Sequence, residues 1–472
     1  MIADLKPYSD YKDSGLPWLA RMPGHWDTQR SKYLFREADQ RSAEGTEQRM
    51  SMSQRHGLIP SSQIEEWRLV SESSVGGKIC EAGDLVLNRL KAHLGVVAIS
   101  PTRGVVSPDY TVLRPIGETN HHYFCAVYRS PHCGQELRRR AKGIVEGFWR
   151  LYTDDFYDIR VPVPPPDEQA AIVRFLDWAN GQLDRTIRAK RKTIALLVEQ
   201  MQSIAQQAVS CGIDPSVQLR PSGIQWFGEI PQHWEVRPLK AVSVIQSGIT
   251  LGKDYGTQPT REFPYLRVAN VQAGFVNLSV VKKIRVPMAE ARRSTLAIGD
   301  VLMTEGGDPD KLGRGCVWDG QVSPCLHQNH VFAVRPDQQR LEPRFLSAFM
   351  GTNSARAYFQ STAKQTTNLA STNKTKLGRL QVPLPLINEQ RSILATVAAA
   401  TQPAITAIAR LETEIKLLRE YRIRLVADIV TGKLDVRGAA AHLPDAQQID
   451  LGVYPGDDSE DIDFADAEAS EA

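Results

Sequence analysis

Several things are scarce in this chain of 472 residues. It holds six cysteines, Cys80, Cys125, Cys133, Cys211, Cys316 and Cys325, scattered without a CxxC pair. That spacing excludes a disulfide framework and leads to the expectation of a reducing, cytoplasmic setting. No run of about 18 uninterrupted apolar residues occurs, so no membrane span is expected. The opening stretch, MIADLKPYSDYKDSG, lacks the basic and apolar regions of a secretory signal. Neither a GxGxxG turn nor a GxxxxGKS/T phosphate loop is present, so nothing supports nucleotide binding by this chain.

What is present is core material and unevenly placed charge. Hydrophobic residues make up 42%, which excludes wholesale disorder. The length suggests about two to four domains. The net charge of +3 is a cancellation, because ten acids and no Lys or Arg fall in 438–472, leaving 1–437 at +13. A basic body with an acidic tail suits a polyanionic partner, and equally a basic protein with a solvating tail.

The chain is written twice. SGLPWLARMPGHW (14–26) and SGIQWFGEIPQHW (222–234) share the frame S-G-x2-W-x4-P-x-H-W. Ser14, Gly15, Trp18, Pro23, His25 and Trp26 thus match Ser222, Gly223, Trp226, Pro231, His233 and Trp234. GDLVLNRLKAHLG (83–95) faces GDVLMTEGGDPDKLG (299–313), and Arg114-Pro115 faces Arg335-Pro336. VPVPPPDEQ (161–169) faces VPLPLINEQ (382–390). The offset between copies grows along the chain, as loop insertions on a shared frame would produce. Repetition of the tryptophans and histidines in two otherwise different copies marks them as packing residues against the helices rather than base-stacking ones.

Each EQ opens a helical period. One seam contains Ile187, Ile194, Leu197, Met201 and Ile204, the other Ile408, Leu411, Ile415, Leu418 and Leu425. Spacings of three and four are those of a coiled coil, and two such stripes in one chain point to mutual pairing. Asp167 and Asn388 are the expected N-caps, Glu168 and Glu389 sit in the favourable first turn, and Gly212 and Gly432 mark the ends. Lys190 and Arg422 fall in the seam, either snorkelling out of it or setting its register. Before each helix, short β-type runs (Leu85–Leu87, Val96–Ile99, Tyr110–Leu113; Val301–Met303, Cys316–Trp318, Val331–Val334) mix with helical pieces near 122–130 and 343–359. The fold class is α+β: two globular domains joined by two long antiparallel coiled-coil helices in a pseudo-two-fold internal repeat. The first helix, over 172–208, would span roughly 55 Å and set the globules at opposite ends of a rod.

These motifs in combination resemble the DNA specificity (S) subunit of type I restriction–modification systems, over nearly the whole chain up to about residue 436. The resemblance implies target recognition domains at 1–166 and 213–387, each reading one half of a bipartite, asymmetric site in double-stranded DNA. It implies spacer and dimerising helices at 167–212 and 388–436 that also dock DNA methyltransferase subunits. The tail, 437–472, is expected to be acidic and disordered, and the family does not account for it. S-adenosylmethionine, ATP and Mg are implied for the methyltransferase and motor-nuclease partners, and no cofactor for this chain. The Asp/Asn-Pro-Pro-Tyr/Phe motif of an amino-methyltransferase is absent; Pro165-Pro166-Asp167 lacks the aromatic. A non-catalytic reader fits these absences. The competing readings are a coiled-coil interaction scaffold that does not read DNA, and a stand-alone enzyme.

Candidate DNA contacts follow from residue type and placement. Arg138, Arg139, Arg140, Lys142 and Arg150 form the densest basic run, with Lys364, Lys374, Lys376 and Arg379 in the equivalent stretch. Thr366, Thr367 and Asn368, beside Gln365, add groups suited to base edges. Arg89, Lys91 and His93 follow one strand; Glu305, Lys311 and Arg314 lie in the matching loop. His121, His122, Cys125, His132 and Cys133 crowd together in the manner of a zinc site. The second copy has no matching set, so no metal is expected, and the segment reads as a helix with Phe124 and Val127 facing in.

Overall fold

The computed structural model describes residues 5–53, 57–63, 74–143, 149–307, 312–313, 315–365 and 370–444. The chain divides into two compact units, one of residues 1–190 with 413–472, the other of residues 191–412.

The first unit is built on a four-stranded antiparallel sheet in the order Phe35–Glu37, Tyr110–Pro115, Leu85–Asn88, Val97–Ile99. Leu85, Val86, Leu87, Val112 and Leu113 are buried, so the central strands have both faces covered. Helices His121–Arg129 and Pro131–Arg140 pack on one face through Tyr123, Phe124, Tyr128 and Leu137. Asn120 and Ser130 cap them, accepting from Tyr123 N and Cys133 N. The same core takes in Phe175 and Ala179 of the helix Pro166–Cys211, and Leu425, Ile429 and Val430 of the helix Ile387–Val430.

The second unit repeats the plan. Its four-stranded sheet runs Ser243–Ser247, Val331–Pro336, Val301–Thr304, Gly315–Val317. Helices Pro343–Met350 and Asn353–Thr362 supply Phe345, Phe349 and Phe359 to a core that also holds Trp234, Ala208, Val209 and Ile393. One part has no equivalent among the described residues of the first unit: a three-stranded sheet of Lys282–Pro287, Thr260–Leu266 and Leu326–His327, with the helix Met288–Ser294 against it.

The repeated motifs meet in space. In each unit the Asp after the Gly of the GD pair holds the Arg of the RP pair with two bonds, Arg114–Asp84 at 3.1 and 3.0 Å and Arg335–Asp300 at 2.7 and 2.7 Å. The strand after the HW pair lies antiparallel to the VPxP strand, Asp27–Arg30 on Arg160–Val163 and Glu235–Pro238 on Gln381–Leu384.

The long helices differ from expectation at their starts. They begin at Pro166 and Ile387, so Asp167 and Asn388 lie inside the first turn instead of capping it. Proline is tolerated there because its missing N–H would be unbonded anyway. The first helix runs 46 residues to Cys211 and the second 44 to Val430. Gly212 and Gly432 follow with φ of +81° and +74°, the left-handed conformation that ends a helix. Pro403 lies inside the second helix on an exposed face, where its ring displaces no packing. The absence of a long apolar run does not extend to average hydropathy: Ile387–Val430 is long and apolar enough to cross a bilayer by length and composition alone.

The tail begins later than 437. Residues Arg437–Ala441 are helical, and Val436, Ala440 and Leu443 belong to the first unit's core. Residues 445–472 lie outside the described residues.

Candidate nucleic-acid interface and its scaffold

The HW pair and the EQ pair form one device in each unit. Trp26 Nε1 donates to Glu168 Oε1 at 3.0 Å, and His25 Nε2 lies 2.8 Å from Glu168 Oε2. Trp234 Nε1 donates to Glu389 Oε1 at 2.9 Å, and His233 Nε2 lies 3.0 Å from Oε2. The neighbouring glutamine turns back on the proline run, Gln169 Nε2 to Pro164 O and Gln390 Nε2 to Pro385 O, both at 2.8 Å. Each long helix is thereby fixed to its globule at its first turn. This placement makes Trp26 and Trp234 buried anchoring groups, with His25 and His233 completing each anchor from its exposed side. The role of Glu168 and Glu389 as acceptors went beyond the helix-dipole role read from sequence, although the co-repetition of HW with EQ was a signal for it.

The two anchors differ in depth. Glu168 is buried, and Tyr8 Oη donates to it as well. The Arg437 guanidinium lies 5.2 Å from the Tyr8 ring centre and is paired with Asp435. Burial and the Glu168 carboxylate push the Tyr8 phenol well above its ordinary value. In the second unit Asp214, just past the end of the first long helix, is exposed and bonded to Ser216.

The seam positions named from sequence are buried or half-buried, Ile187, Ile415 and Leu425 most fully. In the first unit Lys190 Nζ sits 2.5 Å from Glu414 Oε2, and Arg422 pairs with Asp184. The two charged seam residues therefore each meet an acid on the other long helix, and these segments run antiparallel.

The basic run of the first unit is largely matched by acids. Arg139 and Arg140 both bond Glu136, at 2.8 and 2.6 Å. Burial raises the Glu136 carboxyl, but the two guanidiniums outweigh it and hold it below its ordinary range. Lys142 pairs with Asp155 at 2.8 Å and Arg150 with Asp109 at 2.6 Å. Arg138 lies over the Trp149 ring at 4.9 Å. Arg89 donates to the carbonyls of Asp109 and Pro108 at 2.9 and 3.1 Å. Lys91 precedes the short helix Ala92–Leu94 and is half-buried. The His93 side chain, Lys311, Arg314, Thr366, Thr367 and Asn368 lie outside the described residues. In the second unit Lys364, Lys374 and Arg379 are exposed and, among the described residues, have no acidic partner. Glu305 bonds His330 at 2.7 Å.

His121, His122 and Cys125 lie on the helix His121–Arg129, with Phe124 and Val127 buried. Cys125 Sγ reaches Val97 O, and burial pushes its thiol up to about 11. Among the described residues no group of three His, Cys, Asp or Glu side chains is placed to hold a metal.

No family model matches the chain. Among curated proteins it is 27% identical over 169 residues to the putative type I restriction enzyme MjaX specificity subunit of Methanocaldococcus jannaschii, covering 35% of this chain and 39% of that one. It is 24% identical over 246 residues to the type I restriction enzyme EcoKI specificity subunit of Escherichia coli K12, covering 51% and 50%. The matches thus span half or less of those relatives' own length. A solved chain described under the complex assembly and conformational transition of the type I R-M system shares the fold with a TM-score of 0.59, at 16% identity, over 88% of this chain and 99% of that one. The chain is similar to type I specificity subunits, as its repeated motifs indicated.

Proposed function

We propose that this chain is the DNA-recognition subunit of a type I restriction–modification assembly and carries no chemistry of its own. Each unit reads one half of a bipartite site in double-stranded DNA. The observation that carries the reading is duplication with divergence: one anchor and one sheet plan occur twice, while the segments mounted on them differ. A scaffold needs no such divergence. Two readers of different half-sites require it, because sequence is read by side chains in the grooves while the frame only positions them.

The domain plan read from sequence goes with this function. The long helices Pro166–Cys211 and Ile387–Val430, within the segments 167–212 and 388–436, act as an antiparallel coiled coil that fixes the spacer and docks methyltransferase subunits. Leu196, Ile405, Leu417 and Ile423 are exposed on those helices, apolar surface of the kind that partners cover. S-adenosylmethionine, and in a restricting assembly ATP and Mg, belong to those partners.

Methylome sequencing of cells carrying the chain with its methyltransferase partner tests the reading. A two-part motif with an unread spacer is expected; a contiguous motif, or none, overturns it. The scaffold reading is favoured instead if the purified chain lacks a steep salt dependence of duplex affinity.

A further inference from the structure

The part of the second unit with no equivalent among the first unit's described residues is rich in cations. Residues 260–294 contain seven Lys or Arg against two acids, Glu262 and Glu290. Lys283 pairs with Glu262 at 3.1 Å, and Arg261 lies over Phe263. Lys282, Arg285, Arg292 and Arg293 are exposed and have no acidic partner among the described residues. Arg285 alternates with Ile284 and the buried Val286, so it faces away from the core. Arg292 and Arg293 lie on the outer side of a helix that buries Ala291 and Ser294.

Between the two strands stands a braced turn. Asn270 is buried; its Nδ2 donates to the carbonyls of Asn277 and Val280 at 2.8 and 3.0 Å, and its Oδ1 accepts from Arg267 N at 2.8 Å. Val271 and Val276 pair across the turn, and both join the core with Leu278. Gly274, at φ +85°, lets the chain reverse, and Gln272 N closes it on Phe275 O at 3.1 Å. The turn is held from inside, yet Phe275 is 60% exposed at its tip. An aromatic held out of the core by a rigid turn, in a segment that also exposes four cations without an acidic partner among the described residues, fits a polyanion with apolar groups between its charged rails.

We propose that residues 260–294 are the DNA-gripping arm of the second unit. Lys282, Arg285, Arg292 and Arg293 neutralise backbone phosphates, and Phe275 makes an apolar contact with base edges, as phenylalanine does with a thymine methyl. The inference rests on the DNA-recognition reading above and adds where the electrostatic part of that binding resides.

The test uses the purified full-length chain and a fluorescein-labelled duplex of random sequence, titrated by anisotropy between 50 and 200 mM salt. Replacing Arg285, Arg292 and Arg293 together by alanine removes three phosphate contacts and lowers the log–log salt slope by about 2.7, which makes affinity loss across that range roughly 40-fold smaller. Replacing Arg139 and Arg140, which already hold Glu136, changes the slope by less than about 1. A melting curve checks that each variant is folded. An unchanged slope in the triple variant overturns the arm while leaving DNA recognition standing. A parent chain without salt-dependent binding overturns both. A triple variant that keeps its slope but loses a co-purified methyltransferase shows a protein-docking surface instead and likewise sinks the proposal. Phe275→Ala should relax one position of one half-site in the methylome; an unaltered motif removes Phe275 from the arm.

Discussion

The two units use one frame to support different balances of charge. In the first, the glutamate of the helix anchor is buried among Trp26, His25 and Tyr8, and the dense basic run is matched by Glu136, Asp155 and Asp109. In the second, the equivalent glutamate is partly exposed, and Lys374, Arg379, Arg285, Arg292 and Arg293 stand without acids among the described residues. Basic residues count toward phosphate binding only when no internal carboxylate already holds them. By that measure the first unit's conspicuous run of arginines is less available to a polyanion than its density suggests.

The anchors offer the largest contrast. Glu168→Ala strands several donors in a buried site, at a cost of about 3–5 kcal/mol. Glu389→Ala, in a site where the glutamate side chain is 27% and the histidine 47% exposed to solvent, costs about 1–2 kcal/mol. Urea titrations that follow each unit's transition read the difference, and equal losses would break the comparison. A middle-sized effect concerns the matched arginines. Glu136→Gln keeps the shape but releases Arg139 and Arg140, so the salt slope of duplex binding should steepen by up to about 2. An unchanged slope would mean that those arginines do not face DNA even when free. The smallest effect is in acid. Burial alone would raise the Asp435 carboxyl, but its pairing with Arg437 holds it below its ordinary range. Its stabilising contribution is therefore complete above the usual aspartate value and is lost as pH falls through the lowered one. Asp435→Asn should flatten the acid side of the first unit's stability curve; the exposed Asp214, whose carboxyl is lowered by its bonds from Ser216, should give a smaller change in the second.

Much of the frame was legible because it is written twice. Agreement between two divergent copies picked out the GD, RP, HW and EQ pairs, and the structure joins them in pairs as Asp84 with Arg114 and Trp26 with Glu168. The pairing of Arg139 and Arg140 with Glu136 was also readable, since i,i+3 and i,i+4 spacing on a helix brings those side chains together. The ion pairs of Arg150 with Asp109 and Lys142 with Asp155 were not, because they join segments that only the tertiary fold brings together. The cations of 260–294 were not legible for a different reason. They are spread over a strand pair and a short helix, outside the motifs that the repeat picks out.

The first unit draws on residues 1–190 and again on residues 413–444, where Asp435 N bonds Lys6 O at 2.8 Å. The second is a single uninterrupted stretch. A ribosome therefore delivers everything the second unit needs before it delivers the last pieces of the first. The amino-terminal half, made earliest, must wait with its sheet formed and its helical seam open, and closing it spans about 220 intervening residues at an entropic cost of roughly 5 kcal/mol if they were unfolded. Folding the inserted unit first shortens that span to the distance between its ends. In that case the order of completion runs against the order of synthesis, although residues 1–190 of the first unit are made before any of the second.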